Sequence, residues 1–293
     1  MMAHYGLIEA GGTKFVLGIA DVAGSISASQ RIPTTTPAET LGKAIAWFKA
    51  QGLDPAAIGV GSFGPLDLDP ASPTWGHIAA TPKPHWAGAD MVGPFRDAFG
   101  CLVGLDTDVN GAALAEARWG AGKAGDSLLY LTIGTGIGGG YVAQGRLLRG
   151  ATHPEMGHMR VPRHSQDAGF SGVCPFHGDC LEGLASGPAI TARWGASLSD
   201  LGAGHPGALM IGWYLAQAVV TFMAVLQPAR IVLGGGVMNT PELIEHVRRE
   251  AVTSAAGYFA GDPHQMIVAP GLGERSGLLG ALALALEAEI IAS

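Results

Sequence analysis

Glycine, placed where apolar runs end, is the feature that most constrains what this chain can fold into. It holds 46 glycines among 293 residues, about twice the usual share of roughly 7%. No Gly-X-Y period is present, so collagen is excluded, and with 18 prolines the total stays below the roughly 25–30% that marks low-complexity sequence. The glycines act as punctuation instead. Tyr5–Ile8 runs into Glu9-Ala10-Gly11-Gly12-Thr13-Lys14, and Phe15–Ala20 resumes the strand pattern. Ile58–Val60 ends in Gly61-Ser62-Phe63-Gly64-Pro65. Leu128–Ile133 ends in Gly134-Thr135-Gly136-Ile137-Gly138-Gly139-Gly140, with Tyr141–Ala143 extended again, and Ile231–Leu233 ends in Gly234-Gly235-Gly236. Short apolar runs closed by turn residues read as strands. Strand, glycine turn and strand therefore occur twice, over residues 5–20 and 128–143. Such self-similarity is the mark of an internal repeat, here two α/β halves facing each other across a cleft, with a boundary near residues 118–125. Helices are expected over Thr36–Gln51, from about Ala112 to Arg118, over Pro206–Leu226 and over Pro241–Arg249, with a further strand at Cys101–Leu105.

Composition narrows the function classes. Hydrophobic residues make up 48%, which excludes a disordered chain. The formal net charge is −7 and no basic cluster exceeds the pair Arg248-Arg249, so nucleic acid is not an expected partner. The first residues lack the basic and apolar regions of a secretory signal. The most apolar stretches, Trp213–Leu226 and Gly277–Leu286, fall short of the ~18 uninterrupted apolar residues of a membrane span and read as buried helices. Three cysteines do not make a disulfide framework in a chain of this size. A cytoplasmic homodimer without a membrane partner is expected.

Glycine turns after strands can hold phosphate on backbone amides, and three devices compete. A Walker A loop is absent, because Gly122-Lys123 is followed by Ala124. Gly134-x-Gly136-x-x-Gly139 matches the dinucleotide fingerprint, but that device needs a helix next and Tyr141–Ala143 reads as a strand. A β-hairpin whose turn closes on phosphate fits both glycine turns. In Asp106-Thr107-Asp108-Val109-Asn110, at a strand end and a helix start, a carboxylate can take a hydroxyl proton during phosphoryl transfer. It can equally cap the helix, a place that favours Asp. Cys174-x2-His177-x2-Cys180 offers three ligands at loop spacing for Zn²⁺ in a closed, structural shell. His158 is the expected fourth, with His153 and His164 as competitors. Cys101 lies in an apolar strand and reads as core.

Taken in order, Glu9–Lys14, Asp106–Asn110, Gly134–Gly140, Pro154-Glu155-Met156-Gly157-His158 and Gly234–Gly236 resemble the motifs of bacterial ROK-family sugar kinases, over essentially the full length. Cys174-Pro175-Phe176-His177-Gly178-Asp179-Cys180 resembles the fructokinases of that family. The resemblance implies a duplicated actin-like, hexokinase-like (ribonuclease H-like) α/β fold with two lobes around a cleft. Residues 1–118 would form the N-terminal lobe, joined by a C-terminal helix over 277–293, and residues 119–276 the C-terminal lobe with its zinc loop.

It implies ATP and Mg²⁺, and transfer to the 6-hydroxyl of a hexose, fructose above all. Glucose, mannose or an N-acetylhexosamine is the alternative acceptor. A sugar-sensing repressor of the same family is the rival in another class, and would need a helix-turn-helix ahead of the glycine motif that here starts at Glu9. By this resemblance Asp108 is the base. Glu9 stands where Asp is commoner and holds Mg²⁺ through water. Gly11, Gly12, Thr13, Lys14, Gly134, Thr135 and Gly136 contact the phosphates, and Gly234, Gly235 and Gly236 the adenosine. Gly64, Pro65, Lys83, Asp108, Glu155, His158 and Glu182 line the sugar site. Lys83 and Thr107 replace the family's more common Asn. The zinc loop, with His158, Cys174, His177 and Cys180 around structural Zn²⁺, would orient the sugar-binding wall.

Overall fold

A computed structural model describes residues 3–292 other than 82, 123–126 and 203; the Lys123-Ala124 pair that breaks the Walker A pattern lies outside the described residues. The chain divides into two compact units. Unit one takes the chain up to Arg118, Arg146–His153, and the chain from Leu272 onward; unit two takes Trp119–Gly145 and Pro154–Gly271.

In unit one, β1 (His4–Ala10), β2 (Lys14–Asp21) and β3 (Ile26–Pro33) form an antiparallel meander. Helix α1 (Pro37–Ala50) starts where the Thr36 side chain accepts the Glu39 N–H and Pro37 presets the first turn. It buries Leu41, Ala44 and Phe48 on one stripe. Then β4 (Ala57–Ser62) pairs parallel to β1, α2 (Gly93–Phe99) follows, and β5 (Leu102–Thr107) pairs parallel to β4 and leads into α3 (Asp108–Trp119). The sheet order is β3-β2-β1-β4-β5.

The same plan returns with β6 (Ser127–Ile133), β7 (Ile137–Ala143) and β8 (Arg146–Leu147). Four helices come next: α4 (Leu181–Ala185), α5 (Gly187–Trp194), α6 (Leu198–Leu201) and α7 (Pro206–Leu226). Then come β9 (Arg230–Gly234), parallel to β6, α8 (Leu243–Ala255), α9 (Pro263–Met266) and β10 (Ile267–Val268), parallel to β9. The order β10-β9-β6-β7-β8 is the first sheet's order read from the other side, so the repeat read from the glycine turns is a repeat of topology. α7 is long and apolar enough to cross a membrane. Its Ile211, Tyr214, Leu215 and Val219 are fully or almost fully buried in the core of unit two.

The last helix, α10 (Ser276–Ala292), packs in unit one on β1, β4 and β5. The sheet presents glycine to it. A Cβ on Gly59 would stand 1.7 Å from the Ala281 carbonyl oxygen, and one on Gly104 2.0 Å from that of Leu284. These two glycines let helix backbone reach sheet backbone. One expectation needs correcting. α8 runs Leu243–Ala255 rather than Pro241–Arg249, because Glu242 sits at φ +63° and no break occurs before Ala256 at φ +50°. The glycine run 234–236 leads into a 3₁₀ turn, Gly236–Asn239.

Candidate active site

In unit one the strand-to-helix junction at residues 106–110 separates two carboxylates of the same motif. Asp106 is fully buried. Its Oδ1 accepts the Thr107 N–H and the Asn110 side-chain amide, both at 2.7 Å, and its Oδ2 accepts Arg149 at 2.5 Å. The cap of α3 is the Thr107 hydroxyl, which accepts the Asn110 N–H at 3.2 Å, so neither aspartate is spent on that task. Asp108 accepts one hydrogen bond among the described residues, from the Val109 N–H at 2.8 Å. Burial pushes its carboxyl up to about 6; the Val109 amide opposes this, and the Glu9 charge adds to it. A carboxylate with open acceptor capacity and a raised pKa is equipped to take a proton.

Glu9, next to last in β1, has its carboxyl raised by burial against the pull of Lys14 and Arg31. It lies on the first turn of α10, where a Cβ on Gly277 would stand 2.3 Å from Glu9 Cδ. Beyond it the β1–β2 turn is closed by the Gly11 N–H on the Lys14 carbonyl at 3.0 Å, and the Thr34 hydroxyl holds the Gly11 carbonyl at 2.7 Å. An added Cβ on Gly12 meets nothing within 4 Å, and Thr13 and Lys14 are exposed. Gly64-Pro65 follows β4. The Leu66 N–H donates to buried His153 at 3.4 Å, and the His153 ring lies 3.6 Å from a Gly64 Cβ. Lys83 is half-buried, its N–H on the Thr81 hydroxyl at 3.3 Å.

In unit two the other glycine segments converge. The Gly134 N–H donates to the Gly136 carbonyl, and the Gly134 carbonyl accepts the Gly187 N–H, both at 2.8 Å. A Gly134 Cβ would stand 4.0 Å from the Gly236 nitrogen. Gly235, at φ +90°, has the Ile133 carbonyl 2.4 Å from its own Cβ position, a place only glycine fills without strain. Glu182, in the first turn of α4, reaches this turn. Its Oε2 accepts the Ile137 N–H at 2.9 Å and lies 2.7 Å from a Gly136 Cβ. The resemblance gave Glu182 to the sugar; here one of its oxygens is engaged at the glycine turn. Glu155 is exposed and its carbonyl accepts the His158 N–H at 3.0 Å.

The ligand atoms of His158, Cys174, His177 and Cys180 all lie within 4.8 Å of one another. Cys174 Sγ is 3.7 Å from His158 Nδ1 and 3.6 Å from His177 Nδ1, and Cys180 Sγ is 3.6 Å from His158 Nδ1. Zinc bonds of about 2.3 Å to sulfur and 2.0–2.1 Å to nitrogen in a tetrahedron set sulfur and nitrogen about 3.6 Å apart. The residues fit that group. Of the competing fourth ligands, His153 lies against Gly64 in unit one. His164 uses Nδ1 to accept the Gln166 N–H at 3.3 Å and sits edge-on to Trp213. The loop is tight: a Gly183 Cβ would stand 1.8 Å from the Gly178 carbonyl oxygen. Upstream it is pinned by Asp167, which takes Arg193 through both oxygens at 3.0 and 2.8 Å and the Tyr214 hydroxyl at 2.7 Å. Burial alone would raise the Asp167 carboxyl; Arg193 and Tyr214 outweigh it and hold it below the usual range. Sequence reasoning missed Asp167, Arg193, Tyr214 and Arg149, whose partners are scattered along the chain.

Known proteins share this fold over nearly the whole chain. The chain is 50% identical over 295 residues to the fructokinase of Zymomonas mobilis, covering 97% of each chain. Its structure resembles a ROK hexokinase from Thermus thermophilus at TM-score 0.79 and 30% identity, over 98% of this chain and 99% of that one. A ROK family glucokinase from Streptomyces griseus, solved in complex with glucose and AMPPNP, matches at TM-score 0.76 and 25% identity, over 98% of this chain and all of that one. The fold is therefore the actin-like, hexokinase-like α/β fold. Two sheets of one topology, each with a glycine turn at the end of its first strand, together with these likenesses and a match to the ROK family over residues 5–288, establish that the chain belongs to the ROK family.

Proposed function

We propose that this protein is an ATP-dependent fructokinase that phosphorylates the 6-hydroxyl of fructose. The observation that carries the reading is the graded likeness. Identity is 50% to a fructokinase over 97% of both chains, against 30% to a hexokinase and 25% to a glucokinase. Asp108 accepts the hydroxyl proton, supported by its raised pKa and by a carboxylate that no side chain engages in a hydrogen bond among the described residues. Glu9 would hold Mg²⁺, which supplies charge neutralisation on the phosphates when bound. The Gly11–Lys14 turn in unit one and the Gly134–Gly136 turn in unit two receive phosphate, and Gly234–Gly236 receives adenosine. Gly64, Pro65, Lys83, Glu155, His158 and Glu182 serve the sugar. His158, Cys174, His177 and Cys180 would hold a structural Zn²⁺, supported by the sulfur–nitrogen spacings. A cytoplasmic homodimer completes the reading.

A coupled kinase assay against fructose, glucose, mannose and N-acetylhexosamines tests it. The expected result is a kcat/KM for fructose at least ~10-fold above any other hexose, within what one pocket's polar contacts can discriminate. A preference for glucose or mannose would overturn the fructose assignment, and no turnover with any hexose would overturn the kinase.

A further inference from the structure

The reaction as read above uses Glu9 and Asp108 and leaves a third carboxylate of unit one without a task. Glu116 is fully buried on α3, about two turns past Asp108. Its Oε1 accepts the Leu272 N–H at 3.0 Å and the Ser276 hydroxyl at 2.7 Å. Both donors belong to the segment that opens α10. The next residue, Gly277, lies against the Glu9 carboxylate, its Cβ position 2.3 Å from Cδ and 2.6 Å from each oxygen. Close backbone approach also sets α10 against α3 itself, since a Cβ on Gly280 would stand 2.5 Å from the Gly111 carbonyl carbon. A chain of contacts thus runs from α3, whose first residue is Asp108, through Glu116 and Ser276 to Gly277 and Glu9.

We propose that Glu116 is a positioning residue for the phosphoryl-transfer site: by holding Leu272 and Ser276 it fixes the first turn of α10, and that turn sets where the Glu9 carboxylate stands. The inference rests on the reading of Glu9 as the carboxylate that serves the magnesium-bound nucleotide.

Equilibrium binding of AMPPNP with Mg²⁺, and separately of fructose, by calorimetry tests it, with melting temperature recorded for each variant. Glu116→Ala and Gly277→Ala are expected to weaken Mg²⁺·AMPPNP binding at least ~10-fold, the scale of lost outer-shell partners, while fructose binding stays within about twofold. Glu116→Gln, whose amide oxygen still accepts, should recover most of the loss. Ser276→Ala removes one hydroxyl and should cost about threefold, in line with a single neutral hydrogen bond; it carries the test if Glu116→Ala does not fold. Variants that melt lower yet bind Mg²⁺·AMPPNP as the parent does, or lose both ligands equally, would overturn the proposal. A parent chain that binds neither ligand removes the kinase reading itself; a parent that binds both, beside unaffected variants, removes only the role of Glu116.

Discussion

The two glycine turns occupy the same place in sheets of the same topology, yet they obtain a carboxylate in different ways. The β1–β2 turn of unit one carries its own: Glu9 belongs to β1 and is held there by α10. The β6–β7 turn of unit two borrows one, Glu182, from a helix that begins directly after Cys180. The strand–turn–strand device is therefore duplicated while its electrostatics are not. One copy is tuned by the end of the chain and the other by the cysteine–histidine loop.

The largest expected effect lies in unit one. Asp108→Asn should lower kcat at least ~100-fold, the usual size of a general-base contribution, with fructose KM changed little; near-normal turnover would remove Asp108 from the mechanism. The same carboxyl sets a pH dependence. Its pKa is raised to about 6, so kcat should fall as pH drops through about 6 and the base becomes protonated. The stability sign is opposite to the ordinary carboxylate. A raised folded-state value contributes stability below the unfolded pKa, lost as pH rises through about 6. Asp108→Asn should then melt higher than the parent at pH 8 but not at pH 4, which differential scanning calorimetry would detect.

In unit two, Cys174→Ser should drop zinc below half an atom per chain by elemental analysis. It should also lower the melting temperature by at least about 5 °C, as loss of a structural metal does; a parent chain without zinc after chelator washing would refute the metal. Smallest is the borrowed carboxylate itself. Glu182→Ala should raise the KM for ATP about 10-fold by leaving the Ile137 amide without its charged acceptor, and Glu182→Gln clearly less. If Glu182→Ala leaves the KM for ATP unchanged, its hold on the Ile137 amide does nothing for the nucleotide and the contrast between the turns dissolves.

Much of this arrangement was legible beforehand because it is written locally. The strand–glycine–strand runs, the apolar pattern of the 21-residue α7 and the Cys174–His177–Cys180 spacing are each read from one continuous stretch of chain. β3 was not legible: Ile26–Pro33 carries Ser27, Ser29, Gln30 and Arg31, the polar face of a sheet edge. The short helices α2, α4, α5 and α6 are too brief to show a period. At the site, the resemblance already chose Asp108, but the Arg149 partner of Asp106 and the Ile137 partner of Glu182, 45 residues away, are not written locally. Glycines outside the motifs had no place in the sequence reading, and Gly59 and Gly104 answer to a helix roughly 200 residues further along the chain.

That helix has a consequence for how the protein is made. In unit one, β1, β4 and β5 leave the ribosome before α10, which covers them and follows the whole stretch from Trp119 to Gly271. At about 5–20 residues per second, synthesis of that stretch takes roughly 8–30 s. Throughout it the apolar floor formed by β1, β4 and β5 waits without its cover. The glycine-lined groove that lets the finished unit pack so closely is, during translation, an exposed apolar surface.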